Sequence, residues 1–277
     1  MSQNAEFSLI KAYFSALTSH REDVVLGIGD DCALLQPPAG QLLATSVDTL
    51  VSGVHFFADV DAYRLGHKAL AVNLSDLAAM GANPAWFTLA LTLPEANSDW
   101  LKAFSAGMAY LAKQHDLQLV GGDTTRGPLA ITLQVTGFVE ADKAFRRDAA
   151  KVGDKIYVSG TLGDGGAGLL LKQGKLITEN LSEQDQQFLL ERLELPTPRN
   201  GLASRLSGEI HAAIDISDGL LADLQHILTA SQVGAVIHTD ALPLSAALQK
   251  LPAALAQKLA LTAGDDYELC FTVSSKK

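Results

Sequence analysis

Residues 61–94 read DAYRLGHKALAVNLSDLAAMGANPAWFTLALTLP, and the fold turns on how that stretch divides. Through Met80-Gly81 the apolar residues keep helical spacing and surround the helix almost completely. Asp61 stands where an N-cap belongs, and Gly81 where a helix ends. From Pro84 to Leu93 the stretch becomes a short apolar run of residues that suit a pleated surface, which predicts a strand. A long helix passing straight into a strand is the repeating unit of an α/β layer. Asn73, Asp76, Gly81 and Pro84 interrupt the apolar run Ala69–Leu93, so no membrane span is expected there.

Upstream, Glu6–Phe14 (EFSLIKAYF) has helical spacing, a strand runs into the turn Gly29-Asp30-Asp31, and Leu42–Leu50 (LLATSVDTL) reads as a second strand. Downstream, Ser98 is placed to cap a helix reaching about His115. A short strand Leu117–Val120, a turn over residues 121–127 and a strand Leu129–Val139 follow. The second half alternates likewise. Its strands are Lys155–Ser159, Ala212–Ile216, Ala235–His238 and Tyr267–Val273. Its helices follow the glycine-rich turn 160–168 and lie near Glu183–Leu193, Pro198–Leu206, Asp218–Thr229 and Ala253–Leu261. Ser274–Lys277 reads as a bare end. The expected class is α/β (α+β) in two domains, residues 1–148 and 149–277. The charged, pattern-poor segment Glu140–Asp154 marks the boundary, a mobile loop within one fold being the alternative.

Across 277 residues, 48% are hydrophobic and 19% charged, an ordinary folded composition. The formal net charge of -10 argues against a nucleic-acid partner, because affinity for a phosphate backbone comes from Lys and Arg. Cys32 and Cys270 lie far apart in unrelated contexts, which predicts neither a disulfide framework nor a CxxC metal site and suits a reducing cytoplasm. Met1–Asn4 has no positive charge and no apolar core with a small-residue cleavage site follows, so no signal peptide is expected.

The acidic residues recur in one context, at the junction of a strand and a loop or on an apolar helix. They occur in Gly29-Asp30-Asp31, Val47-Asp48-Thr49, Asn73-Leu74-Ser75-Asp76, Gly121-Gly122-Asp123, Asp215-Ile216-Ser217-Asp218-Gly219 and Gly264-Asp265-Asp266. Loops at strand ends are where α/β proteins assemble their sites. Carboxylates crowded together cannot all ionise without compensation, which divalent cations supply. Magnesium suits scattered oxygen donors shared with phosphates; the calcium-loop pattern and the paired His or Cys of a zinc site are absent. Simpler fates stand beside these. Ser217 or Asp218 would cap the helix that starts there, and Asp30-Asp31 and Asp265-Asp266 would be solvated turns. Asp76, on a helix apolar nearly all round, is expected to be buried and therefore to need a partner or a metal. Gly121-Gly122 and Gly160–Gly168 are turns whose amides would face a phosphate, although neither is a P-loop. Arg126, Arg146 and Arg147 would either neutralise phosphate or stay solvated, and His55 is a surface residue or a substrate contact. Cys32 reads as an inert small side chain rather than a nucleophile.

The ordered set GIGDDCALL (27–35), SVDTLVSGVHF (46–56), KALAVNLSDLAAMGA (68–82), GGDTTRG (121–127), AIDISDGL (213–220) and GDDYEL (264–269) resembles the thiamine-monophosphate kinase family of the aminoimidazole ribonucleotide synthetase-like superfamily. The resemblance implies an N-terminal mixed-sheet, ATP-binding domain that dimerises and a C-terminal α/β domain. It further implies that the chain phosphorylates thiamine monophosphate to thiamine diphosphate with ATP and several Mg2+ ions, acting as a homodimer. By the matched motifs Asp30, Asp31, Ser46, Asp48, Asp76, Asp123, Asp215 and Asp218 would hold metal. Gly122, Asp123, Arg147 and Ser217 would touch ATP, and His55 and Asp265 the thiamine phosphate. Val47 stands where relatives often carry Thr. Relatives also continue past the YEL strand, so the resemblance predicts a shortened form with weakened thiamine phosphate binding. Another ATP-using member, such as a selenophosphate or purine-pathway synthetase, and a non-catalytic divalent-ion or phosphate-binding dimer are the alternatives; residues 1–24 hold no Cys and no Gly, against the selenophosphate enzyme.

Overall fold

The computed structural model describes residues 12–15, 17–18 and 20–275; residues 6–11 of the expected helix Glu6–Phe14 lie outside the described residues, while Ala12 and Tyr13 are helical. Two compact units emerge, one of Met1–Leu77 with Ala82–Asp142, the other of Ala78–Gly81 with Lys143–Lys277.

The first unit runs β1 (Val24–Leu26), β2 (Leu34–Leu35), β3 (Gln41–Val51), α1 (Ala62–Ala79), β4 (Asn83–Leu93), α2 (Ser98–Gln114), β5 (Gln118–Arg126) and β6 (Ala130–Glu140). Its four-stranded sheet has the order β3-β6-β4-β5, with β4 and β5 parallel and the other pairs antiparallel. The strand pattern at residues 84–93 is therefore an inner strand, and Asp61 does cap α1, its Oδ1 accepting the Arg64 N–H at 3.0 Å. The next cap differs from the expectation. Asn97, not Ser98, accepts the N–H groups of Asp99 and Trp100, because only the residue before the first helical one has its side chain aimed at them. Of the turn expected at residues 121–127, residues 121–126 are strand as well. Gly121 and Gly122 lie within β5, where a bulge lets the chain pass so near β4 that a Cβ on Gly122 would meet Leu89 O at 1.9 Å.

Register separates the two faces of this sheet. Asp48 aligns with Leu133, Leu89 and Gly122, on the face against which α1 lies. Thr49 aligns with Thr132, Ala90 and Asp123 on the other face, where Val47 is 59% exposed.

The second unit contains β7 (Lys155–Val158), α3 (Asp164–Lys172), α4 (Glu183–Glu194), α5 (Asn200–Arg205), β8 (Ile210–Ile216), α6 (Leu220–Ser231), α7 (Ala253–Thr262) and β9 (Glu268–Val273). Its sheet is antiparallel, in the order β7-β9-β8. Ile214, Ile216, Leu224, Ile227 and Cys270 form a core between that sheet and α6. The strand expected at Ala235–His238 does not form; the segment pairs with no strand and leaves Val236 78% exposed. A β-favouring composition without a ladder partner does not make a strand.

Helices α1 and α2 touch through their main chains. A Cβ on Gly66 would lie 2.0 Å from Phe104 O, and one on Gly107 would lie 1.9 Å from Tyr63 O. Gly66→Ala or Gly107→Ala is therefore expected to lower stability by about 1–3 kcal/mol through overpacking. Gly201→Ala in α5, where nothing lies within 4 Å of the added Cβ, is expected to be neutral or stabilising by up to ~1 kcal/mol. Urea unfolding of the three variants beside the parent checks both.

Candidate functional site

In the first unit α1 and β3 bring Ser46, Asp48, Asn73 and Asp76 together. Ser46 Oγ donates to Asp76 Oδ2 at 2.5 Å, the Asp48 N–H donates to Asn73 Oδ1 at 3.2 Å, and Asn73 Nδ2 donates to Ala69 O at 3.0 Å. Asp76 is half-buried rather than buried, the one partly open residue in the run Leu65–Ala79. Its helix is sealed on every other side, so the opening faces β3. Burial and the like charge of Asp76 push the Asp48 carboxyl up to about 6, and His55 opposes the shift. His55 itself lies exposed in the loop after β3, its Nδ1 accepting the Val51 N–H at 3.0 Å.

The other candidates of this unit stand elsewhere. Asp30 and Asp31 occupy an exposed turn between β1 and β2, where the Asp31 N–H donates to Asp30 Oδ1. Cys32, which follows them, is exposed and free. Asp123 is exposed on β5, one residue out of phase with Asp48. Within each unit, among the described residues, no three His, Cys, Asp or Glu side chains converge in metal-holding geometry. Arg126 donates to Pro94 O, and Arg146 pairs with Asp148.

In the second unit two loops meet. Asp215 ends β8 in a buried position, and the Asp265 N–H donates to Ser217 O at 3.0 Å. This brings the Asp265 main chain against the 215–218 segment at Ser217. Asp265 holds φ 64 and Tyr267 φ 51, left-handed conformations that side chains disfavour and that neighbouring contacts must enforce. Arg147 is exposed, its carbonyl accepting Ser231 Oγ at 2.7 Å.

What enforces this geometry is a set of interior acids whose partners local sequence patterns do not reveal. Asp223 Oδ2 accepts the N–H groups of Ser217, Asp218 and Gly219, each at 3.0 Å, so neither Ser217 nor Asp218 caps α6. Asp266, far from being a solvated turn residue, is 1% exposed and accepts the N–H groups of Gly163 at 2.6 Å and Gly165 at 3.1 Å. The amides expected to face a phosphate in the 160–168 turn are, at these two glycines, already taken. Asp164 accepts the hydroxyls of Thr161 and Ser245. Glu268, also 1% exposed, accepts from Arg192 at 2.9 Å, from Arg199 and from Ser159 Oγ at 2.6 Å, while Arg192 also donates to Asp266 O. The one sequence signal is an acidic residue inside an otherwise apolar segment, such as Asp223 among LLADLQHIL or Glu268 among YELCF.

Residues 29–139 match the family model described as AIR synthase related protein, N-terminal domain, and residues 151–277 match the corresponding C-terminal domain. Thiamine-monophosphate kinase of Salmonella typhimurium is 54% identical over 269 residues, 97% of this chain and 82% of that protein. The Escherichia coli K12 protein of the same name is 52% identical over the same shares. Among solved structures, thiamine-monophosphate kinase from Stenotrophomonas maltophilia K279a superposes with a TM-score of 0.90 at 53% identity, over 98% of this chain and 87% of that one. AaThiL complexed with AMPPCP and TMP superposes at 0.79 with 32% identity, over 90% and 80%.

Two measurements test the interior acids. Glu268→Gln removes the charge that Arg192 and Arg199 face and is expected to cost about 3–5 kcal/mol in urea unfolding. Burial raises the Asp266 carboxyl from 3.8 to about 7, with Asp164 adding to the shift and the two glycine amides and Arg192 opposing it. Folding therefore favours its neutral form. Its stabilising contribution is complete below pH 3.8 and lost as pH rises through about 7. Parent stability relative to Asp266→Asn is expected to fall across that window; a pH-independent difference contradicts the assignment.

Proposed function

Because this chain belongs to the thiamine-monophosphate kinase family within the AIR synthase related proteins, we propose that it transfers the γ-phosphoryl group of ATP in line to thiamine monophosphate, giving thiamine diphosphate, with several Mg2+ ions and as a homodimer. Relatives that carry this name at 54% and 52% identity support the reaction, and the AMPPCP and TMP bound by AaThiL support the substrate pair. The observation on this chain that carries it is the pairing of Asp48 with Asp76. Two carboxylates and a serine hydroxyl share one partly closed corner, and burial together with the like charge of Asp76 raises Asp48 to about 6.

That donor set is all oxygen and anionic, which fits a hard divalent cation and no softer metal. Ser46, Asp48 and Asp76 would hold Mg2+ in the first unit, with Asp30, Asp31 and Asp123 as further donors, and Asp215 and Asp218 in the second. Bound there, the cation would neutralise charge on the phosphates. We assign Gly122, Asp123, Arg147 and Ser217 to ATP, and His55 and Asp265 to the thiamine phosphate. The acceptor oxygen is already anionic near neutral pH, so no side chain has to remove a proton, in keeping with a site rich in Asp. The residues have to orient two phosphates in line and offset their charge. The exposed sheet face around Val47 and Thr49 is the surface proposed for dimerisation. No helix among the described residues is long and apolar enough to cross a membrane, and two free cysteines suit a reducing cytoplasm.

Incubation of the purified protein with ATP, Mg2+ and thiamine monophosphate is expected to yield thiamine diphosphate and ADP. Asp48→Asn is expected to lower turnover on the order of 100-fold or more while leaving circular dichroism and the unfolding midpoint undiminished, since it removes a repulsion along with a ligand. Undiminished turnover in that variant would count against the metal assignment.

A further inference from the structure

Asp223 lies in the first turn of α6 and is 3% exposed. One of its oxygens, Oδ2, collects three consecutive amides, those of Ser217, Asp218 and Gly219, at 3.0 Å each. The bond is returned by the main chain, the Asp223 N–H donating to Gly219 O at 3.0 Å. Gly219 has φ 120, a conformation that turns the three amides inward. Three inward amides form a concave donor set of the kind that binds anions. Here the chain fills it with its own carboxylate.

The loop so fixed carries the residues assigned above to ATP and metal. Its other side is fastened by the Asp265 N–H to Ser217 O and by the Tyr267 N–H to Ile216 O at 2.8 Å. A Cβ on Gly264 would meet Ser217 O at 2.2 Å, so the two loops pack with no slack. Asp223 is therefore placed to set the direction of the Asp215, Ser217 and Asp218 side chains without reaching a ligand itself.

We propose that Asp223 is a positioning residue for the proposed kinase reaction, its Oδ2 locking the 217–219 amides so that Ser217 meets the nucleotide and Asp215 and Asp218 meet the cation. This rests on the reading under Proposed function. Asp223→Ala is expected to raise the KM for ATP or lower kcat by about 10–100-fold, the range found when groups that orient metal ligands are removed. It is also expected to speed amide exchange at residues 217–219, with circular dichroism unchanged. Asp223→Asn keeps an oxygen for the same amides and is expected to recover most of both losses. Should Asp223→Ala fail to fold, Asp223→Ser carries the same comparison. Kinetics within about twofold of the parent, unchanged exchange at 217–219, or an Asn variant as impaired as the Ala variant overturns the proposal. A parent that forms no thiamine diphosphate overturns the kinase reading instead, while the exchange comparison still decides whether Asp223 holds the loop.

Discussion

A buried amide must find an acceptor, and in the second unit that requirement is met from within. The glycines that let the chain turn sharply at residues 163–165 and 217–219 also aim main-chain N–H groups inward, away from any strand partner. Asp266 and Asp223 supply the oxygens. Each of these carboxylates costs free energy to bury, and burial pushes both pKa values up. The compensation is geometric, since a carboxylate that accepts two or three amides fixes the backbone at each of them. The left-handed Asp265 and Tyr267 follow from this, because a strained backbone persists only where its surroundings over-determine it.

The acids of this chain thus fall into two kinds. Asp223, Asp266 and Glu268 are surrounded by donors and act on the chain itself. Asp48 is held up first by burial and then by the like charge of Asp76, and the imidazole of His55 offsets only part of this. A fold that leaves a like-charge pair in place keeps an electrostatic cost which a bound cation removes. On the proposed reading, stability and cation affinity at that corner would be coupled in opposite directions.

Much of this was legible in the residues alone. Helical spacing from Asp61 and the apolar run to Leu93 located α1 and β4, because side-chain period and burial are local properties. Motif order marked Ser46, Asp48 and Asp76 as well as Asp215, Ser217, Asp218 and Asp265, and the structure groups each set. It does not draw Asp30, Asp31 or Asp123 into the first group. What stayed hidden depended on partners distant in the chain. Asp266 binds amides about a hundred residues earlier, and Glu268 binds arginines about seventy residues away, so no window around either residue reveals its role. The same holds for Ala235–His238, where composition favoured a strand that lacks a neighbour, and for Gly121-Gly122, where a turn signature continues as bulged strand beside β4.

The crossing of α1 and α2 bears on the acidic corner in a mechanical way. At Gly66 and Gly107 the helices meet carbonyl against α-carbon, with no side chain between them to change rotamer. Such a joint has no soft degree of freedom and passes displacement along as a rigid lever would. Asn73 and Asp76 sit on the arm of that lever, so the main-chain dimensions of the crossing help to set where their side chains reach β3.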